Sequence, residues 1–106
     1  MIQKYKPKLV RDKIPSIIRR SGKLCETHKS TIPEYQMLLH NKMIEELSEF
    51  MIDPSIEEAA DMYEVFLSIL RHWDIDLSEV IFAADAKRDA RGGFREGIVL
   101  DVVHTA

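Results

Sequence analysis

Two groups of carboxylates carry the chemistry open to this chain: Glu45-Glu46-x-x-Glu49 and, eight residues further on, Glu58-x-x-Asp61. Side chains three or four positions apart share a face of a helix, so each group can aim its charges at one place. Such convergence is unfavourable by itself, because two unit charges about 4 Å apart repel by roughly 4 kcal/mol at an effective dielectric of ~20. It is tolerable in open water or around a cation. The candidate ligands are all carboxylates, with no Cys or His at matching spacing. A cation held this way would be hard and oxygen-seeking, Mg²⁺ or Mn²⁺ rather than zinc or copper. Mg²⁺ on carboxylates commonly serves a phosphate-bearing substrate, which also needs positive charge nearby. Two basic groups offer it: Lys8, Arg11 and Lys13, and Lys87, Arg88 and Arg91 before Gly92-Gly93. Each has a plainer role. Basic residues in a last helical turn are favoured by the dipole and by carbonyl capping, and the N-terminal group, which also includes Lys4 and Lys6, can be a solvated arm.

Helices must position these side chains, and the chain carries start and stop signals for about four. Asp12 is placed to cap a short helix through Ile17, Ile18 and Arg20, with Pro15 in its first turn and Gly22 ending it. Ser30 or Thr31 followed by Pro33 and Glu34 opens a second helix, which Asp53-Pro54 stops after about Ile52. Ser55-Ile56-Glu57-Glu58 is a capping box that opens a third, running to about Trp73. A fourth starts at Asp76 or Ser78 and ends in Lys87, Arg88 and Arg91. The β-branched run from Ile98 to Val103 is expected as an extended tail pairing with the segment near Leu24, giving one small strand pair.

Helical projection treats the two acidic groups unequally. In the second helix Leu39, Met43, Leu47, Phe50 and Met51 make the apolar stripe, with Glu46 on its flank and Glu45 and Glu49 further round. In the third, Ile56, Ala59, Ala60, Tyr63, Phe66, Leu67 and Leu70 form the main stripe, and Met62, Val65, Ile69 and Trp73 widen it past half the circumference. Glu58 falls within that widened arc and Asp61 at its edge. A carboxylate on a buried face needs a basic partner or a metal, since an isolated buried charge is very costly. Solvated acidic faces and a cation site both remain open on the residue pattern alone.

Composition bounds the rest. A chain of 106 residues, 45% hydrophobic and 31% charged, makes one soluble globular domain with a limited core, which oligomerisation can complete. A net charge of −3 argues against a nucleic-acid coat, and no stable nucleic-acid partner is expected. No apolar run approaches the ~18 residues of a membrane span, so no membrane partner is expected either. No signal-peptide stretch is apparent at the N-terminus. Cys25 stands alone, which excludes a disulfide framework and fits a reducing cytoplasm. His28, His40, His72 and His104 have no spaced partners and read as structural, as does Trp73.

The order of Lys8-Leu9-Val10-Arg11-Asp12-Lys13-Ile14-Pro15, Glu45-Glu46-x-x-Glu49, Glu58-x-x-Asp61 and Lys87-x-x-x-Arg91-Gly92-Gly93-Phe94 resembles the all-α nucleoside triphosphate pyrophosphohydrolases, the MazG-like and phosphoribosyl-ATP pyrophosphohydrolase-like proteins. The likeness covers nearly the whole chain. It implies a helical bundle completed as a homodimer or a tetramer of dimers, and Mg²⁺, with Mn²⁺ as a possible substitute, on Glu46, Glu49, Glu58 and Asp61. It further implies hydrolysis of a nucleoside triphosphate between the α and β phosphates to a monophosphate and pyrophosphate. Glu45 would be an additional ligand or a base that orients water, Glu45 or Glu49 would take the proton, and Lys87 and Arg91 would hold phosphates, with Arg11 and Lys13 as further candidates. Only eight residues separate Glu49 from Glu58, so the turn at Asp53-Pro54-Ser55 must be tight. The wider motifs of the dedicated histidine-biosynthesis enzyme are lacking, which favours general nucleotide cleaning over phosphoribosyl-ATP. A non-catalytic bundle that binds nucleotides or partner proteins is the alternative of another class.

Overall fold

Four helices and no strand make up the described part of this computed structural model, which covers residues 6–105; Lys4 lies outside it. In chain order they are α1 (Ile14–Arg20), α2 (Ile32–Ile52), α3 (Ile56–His72) and α4 (Leu77–Arg91). The fold is therefore all-α, and its centre is the antiparallel hairpin of α2 and α3.

Local chemistry explains the element ends. Thr31 Oγ1 accepts from the Glu34 backbone N–H at 3.4 Å, with Pro33 in the first turn of α2. Ser55 Oγ accepts from the Glu58 N–H at 3.1 Å and so fixes the start of α3 three residues after α2 stops. Asp76 Oδ1 accepts from both the backbone N–H and the hydroxyl of Ser78, each at 2.9 Å, which caps α4. Satisfying these otherwise unpaired N–H groups stabilises each helix by about 1 kcal/mol. Helix α3 closes on Asp74 in the left-handed region (φ 55°), with Ile75 N–H reaching back to Leu70 C=O. That is the αL ending usually given to glycine, and aspartate tolerates it.

Two expectations fail here. Asp12 does not cap α1: Lys13 occupies the cap position without a side-chain hydrogen bond, and the Ile14 N–H instead bonds the Arg11 carbonyl. The strand pair between the region near Leu24 and Ile98–Val103 is absent among the described residues. Leu24 and the whole 98–103 run are exposed. β-propensity records how well a side chain fits a half-buried pleated surface, and none is built here.

The faces the hairpin buries overlap only in part with the ones the apolar counts suggest. Leu39 (3% exposed), Val65 and Leu70 are the buried apolar residues among those described. On α2 the packed face carries Glu46, itself 5% exposed, beside half-buried Met43 and Phe50. Leu47 and Met51, expected in the core stripe, are 46% and 69% exposed. On α3 the packed face carries Glu58, Met62, Val65 and Ile69, while Ile56 and Tyr63 of the expected main stripe are exposed. The hairpin closes upon the arc that seemed an extension of the stripe together with the later part of the main stripe, where Leu70 is buried and Phe66 and Leu67 are half-buried. Helix α4 buries nothing, and the chain spans 67 × 31 × 27 Å. Its radius of gyration of 19.0 Å far exceeds the ~13 Å of a compact domain of about 100 residues.

Candidate metal centre

The antiparallel hairpin sets the middle of α2 against the first turn of α3. Glu46, Glu58 and Asp61 thereby converge: one carboxylate oxygen from each lies within 4.8 Å of the other two. The tight Asp53-Pro54-Ser55 turn makes this possible, because it starts α3 immediately opposite the last turns of α2. Oε2 of Glu46 and Oε2 of Glu58 are both buried and have no hydrogen-bond partner. A buried acceptor left unpaired costs about 1–3 kcal/mol, more when charged. Two such atoms on residues of one converging set, made wholly of carboxylates, fit a hard divalent cation.

Basic side chains balance part of this charge. Lys42 Nζ bridges Glu46 Oε1 at 3.2 Å and Glu45 Oε2 at 3.3 Å. Lys8 Nζ lies 3.4 Å from Glu45 Oε1, and Arg11 Nη2 lies 2.7 Å from Asp61 Oδ1. Burial pushes the Glu46 carboxyl above its ordinary value; Lys42 opposes this, and the charges of Glu49 and Asp61 add to it. For Glu45 burial acts upward too, but Lys42 and Lys8 outweigh it and hold that carboxyl below the usual range. Burial would lower the Lys42 ammonium, yet its hydrogen bonds to Glu46 and Glu45 raise it.

These opposite shifts make a measurable difference in metal-free protein. Protonation of Glu46 favours the folded chain. Its contribution is full below the ordinary glutamate value and is lost as pH rises through the raised folded value. Glu45 contributes the other way, with stability present above the ordinary value and lost as pH falls through its lowered one. In Glu46→Gln the Glu46 component is gone, while the lowered carboxyls of Glu45 and Asp76 remain. The variant's melting temperature should therefore gain on the wild type as pH rises through the carboxylate range. Two parallel curves from circular dichroism would show that Glu46 does not titrate with folding.

The hairpin does not treat all the candidates alike. Glu46, Glu58 and Asp61 come together, and Glu45 stands beside them in its two ion pairs. Glu49 is exposed one turn beyond Glu45, close enough for its charge to act on Glu46 but outside the converging set. Arg11 reaches the site, whereas Lys13 is exposed at the start of α1. Lys87 and Arg91 are exposed on α4, which does not pack on the hairpin. Lys42 was overlooked by sequence reasoning, although its spacing of three and four from Glu45 and Glu46 is the ordinary signature of helical ion pairs. The histidines lie elsewhere: His28 pairs with Glu34 at 2.9 Å, and His72 contacts Gln36, Tyr35 and Trp73. The chain matches no family model, no curated protein and no solved structure.

Proposed function

We propose that this chain is a divalent-cation-dependent hydrolase that cleaves nucleoside triphosphates between the α and β phosphates, of the all-α pyrophosphohydrolase type that its motifs resemble. The observation that carries the reading is the convergence of Glu46, Glu58 and Asp61 with two buried, unpartnered carboxylate oxygens. Those three residues would hold Mg²⁺ or Mn²⁺, with Glu49 able to join from the adjacent turn. The ion, when bound, supplies an acidified water and charge neutralisation for the phosphates.

The two candidate bases are not equivalent. Glu45 is tied to two lysines and held acidic, which makes it a poor proton acceptor. Glu49 is exposed and has no ion pair among the described residues, so it is the better-placed group to take a proton from an attacking water. Arg11 and Lys8 lie beside the carboxylates and can take phosphate oxygens. Lys87 and Arg91 would reach a phosphate only from a neighbouring chain. That fits a homodimer or tetramer closing over the exposed apolar face of the hairpin, which includes Leu47, Met51, Ile56 and Tyr63. No helix is long and apolar enough to cross a membrane, and a cytoplasmic site of action suits the single cysteine.

Purified protein incubated with a panel of nucleoside triphosphates and Mg²⁺ should release pyrophosphate and a monophosphate, and chelation should stop it. Binding without products would instead make the chain a nucleotide sensor. Neither binding nor products would leave a helical interaction module. Turnover confined to phosphoribosyl-ATP would move the substrate to that alternative.

A further inference from the structure

The cations that touch the converging carboxylates are held with very different security. Lys42 is largely buried and rests on Glu45 as well as Glu46. Arg11 is more than half exposed and holds Asp61 through one 2.7 Å contact. It belongs to the non-helical segment before α1, whose residues 6–9 run along α2 and enclose with Leu38, Asn41, Lys42 and Glu45 an open cleft of about 270 Å³. Lys8 ties the same segment to Glu45 at 3.4 Å. Both ion pairs of the segment thus end on acidic side chains at or beside the converging set.

We propose that residues 7–13 are a cation-loosened latch: Arg11 is the resident counter-ion of Asp61, and a divalent cation at Glu46, Glu58 and Asp61 displaces it, leaving the segment the weaker tie of Lys8 to Glu45. This rests on the metal-site reading above. Asp61 cannot serve a guanidinium and a dication equally, since the two positive charges repel at that separation. An exposed single-contact pair is worth little and is the one to yield. Lys42 stays, because it keeps Glu45 when Glu46 is engaged. The buried, unpartnered Oε2 of Glu46 is what the incoming cation satisfies and Arg11 does not. Linkage makes the effect reciprocal, so whatever loosens the latch tightens the cation. A freed Arg11 would remain tethered beside the cation, positioned to meet an anionic ligand.

Mn²⁺ titration of the protein alone, followed by the paramagnetic resonance of free Mn²⁺, tests this without any turnover. Arg11→Gln should bind Mn²⁺ about two- to fivefold more tightly than the wild type, the range that an exposed ion pair supports. Lys23→Gln, which removes the same charge from the exposed turn after α1, should change it less. A nitroxide on Val10→Cys in a Cys25→Ser background should give sharper lines when Mg²⁺ is added. Wild-type Mn²⁺ binding that is unchanged or weakened by Arg11→Gln, or a nitroxide spectrum blind to Mg²⁺, would overturn the latch while leaving the metal site standing. Absence of Mn²⁺ binding in every variant would overturn the site itself, and the latch with it.

Discussion

Glu58→Gln should remove cation-dependent hydrolysis and at the same time leave the metal-free protein at least as stable as the wild type. The first effect follows from ligand loss. Residues that merely orient metal ligands cost about 10–100-fold in affinity or activity when replaced, so a direct carboxylate ligand should cost at least the upper figure. The second follows from what Glu58 does without a cation. Its Oε2 is buried and unpartnered, and one of its oxygens lies within 4.8 Å of carboxylate oxygens from Glu46 and Asp61. Glutamine keeps the shape, deletes one of three like charges and adds N–H donors beside the unpartnered Glu46 oxygen. A group kept for function against stability gives this pair of opposite signs. A group kept for structure would give two losses. The pairing is read from pyrophosphate release with Mg²⁺ and from thermal unfolding with a chelator. Retained hydrolysis would exclude Glu58 as a ligand, and a lower melting temperature in chelator would make it a structural acceptor.

The same residue shows how far the sequence reaches. Glu58 was readable as a buried carboxylate because the apolar positions Met62, Val65 and Ile69 place it on a packed face, and the hairpin closes on that face. Glu46 was not. The apolar residues Leu47 and Met51 pulled the inferred core of α2 round to their own side and left Glu46 on its flank. Periodicity scores only the apolar side chains, and here the packed face is completed by an ion pair, Lys42 with Glu46. The helix starts at Thr31, Ser55 and Asp76 were legible because a capping side chain acts within three residues of itself. The cap at Asp12 failed although it was equally local, because Lys13 takes the cap position and the Ile14 N–H bonds the Arg11 carbonyl. The segments near Leu24 and at Ile98–Val103 failed for another reason, since each depended on a partner elsewhere in the chain that local pattern does not locate. The basic end of α4 belongs with them, since Lys87 and Arg91 are correctly helical yet their helix leaves the hairpin.

Leu39→Ala should unfold much of the isolated chain, and the reason lies in how little core there is to lose. Leu39, Val65 and Leu70 are the buried apolar residues among those described. Truncating a buried leucine costs about 2–5 kcal/mol in transfer and cavity terms. A domain of this length holds roughly 5–15 kcal/mol in total, and one this open belongs at the low end. At about 4–8 °C per kcal/mol the melting temperature should fall by at least ~8 °C. Met51→Ala removes a side chain of similar size that is 69% exposed, and within one chain it should cost no more than about 0.5 kcal/mol. Protein concentration then separates the two positions. If a second copy covers the face of Leu47, Met51, Ile56 and Tyr63, the wild-type melting temperature rises with concentration by mass action. Met51→Ala should flatten that rise, whereas Leu39→Ala should keep it from a lower starting point. Equal losses at the two positions at every concentration would mean that α2 buries its Leu47–Met51 side, as the apolar count alone suggested, and that the face carrying Glu46 is not the packed one.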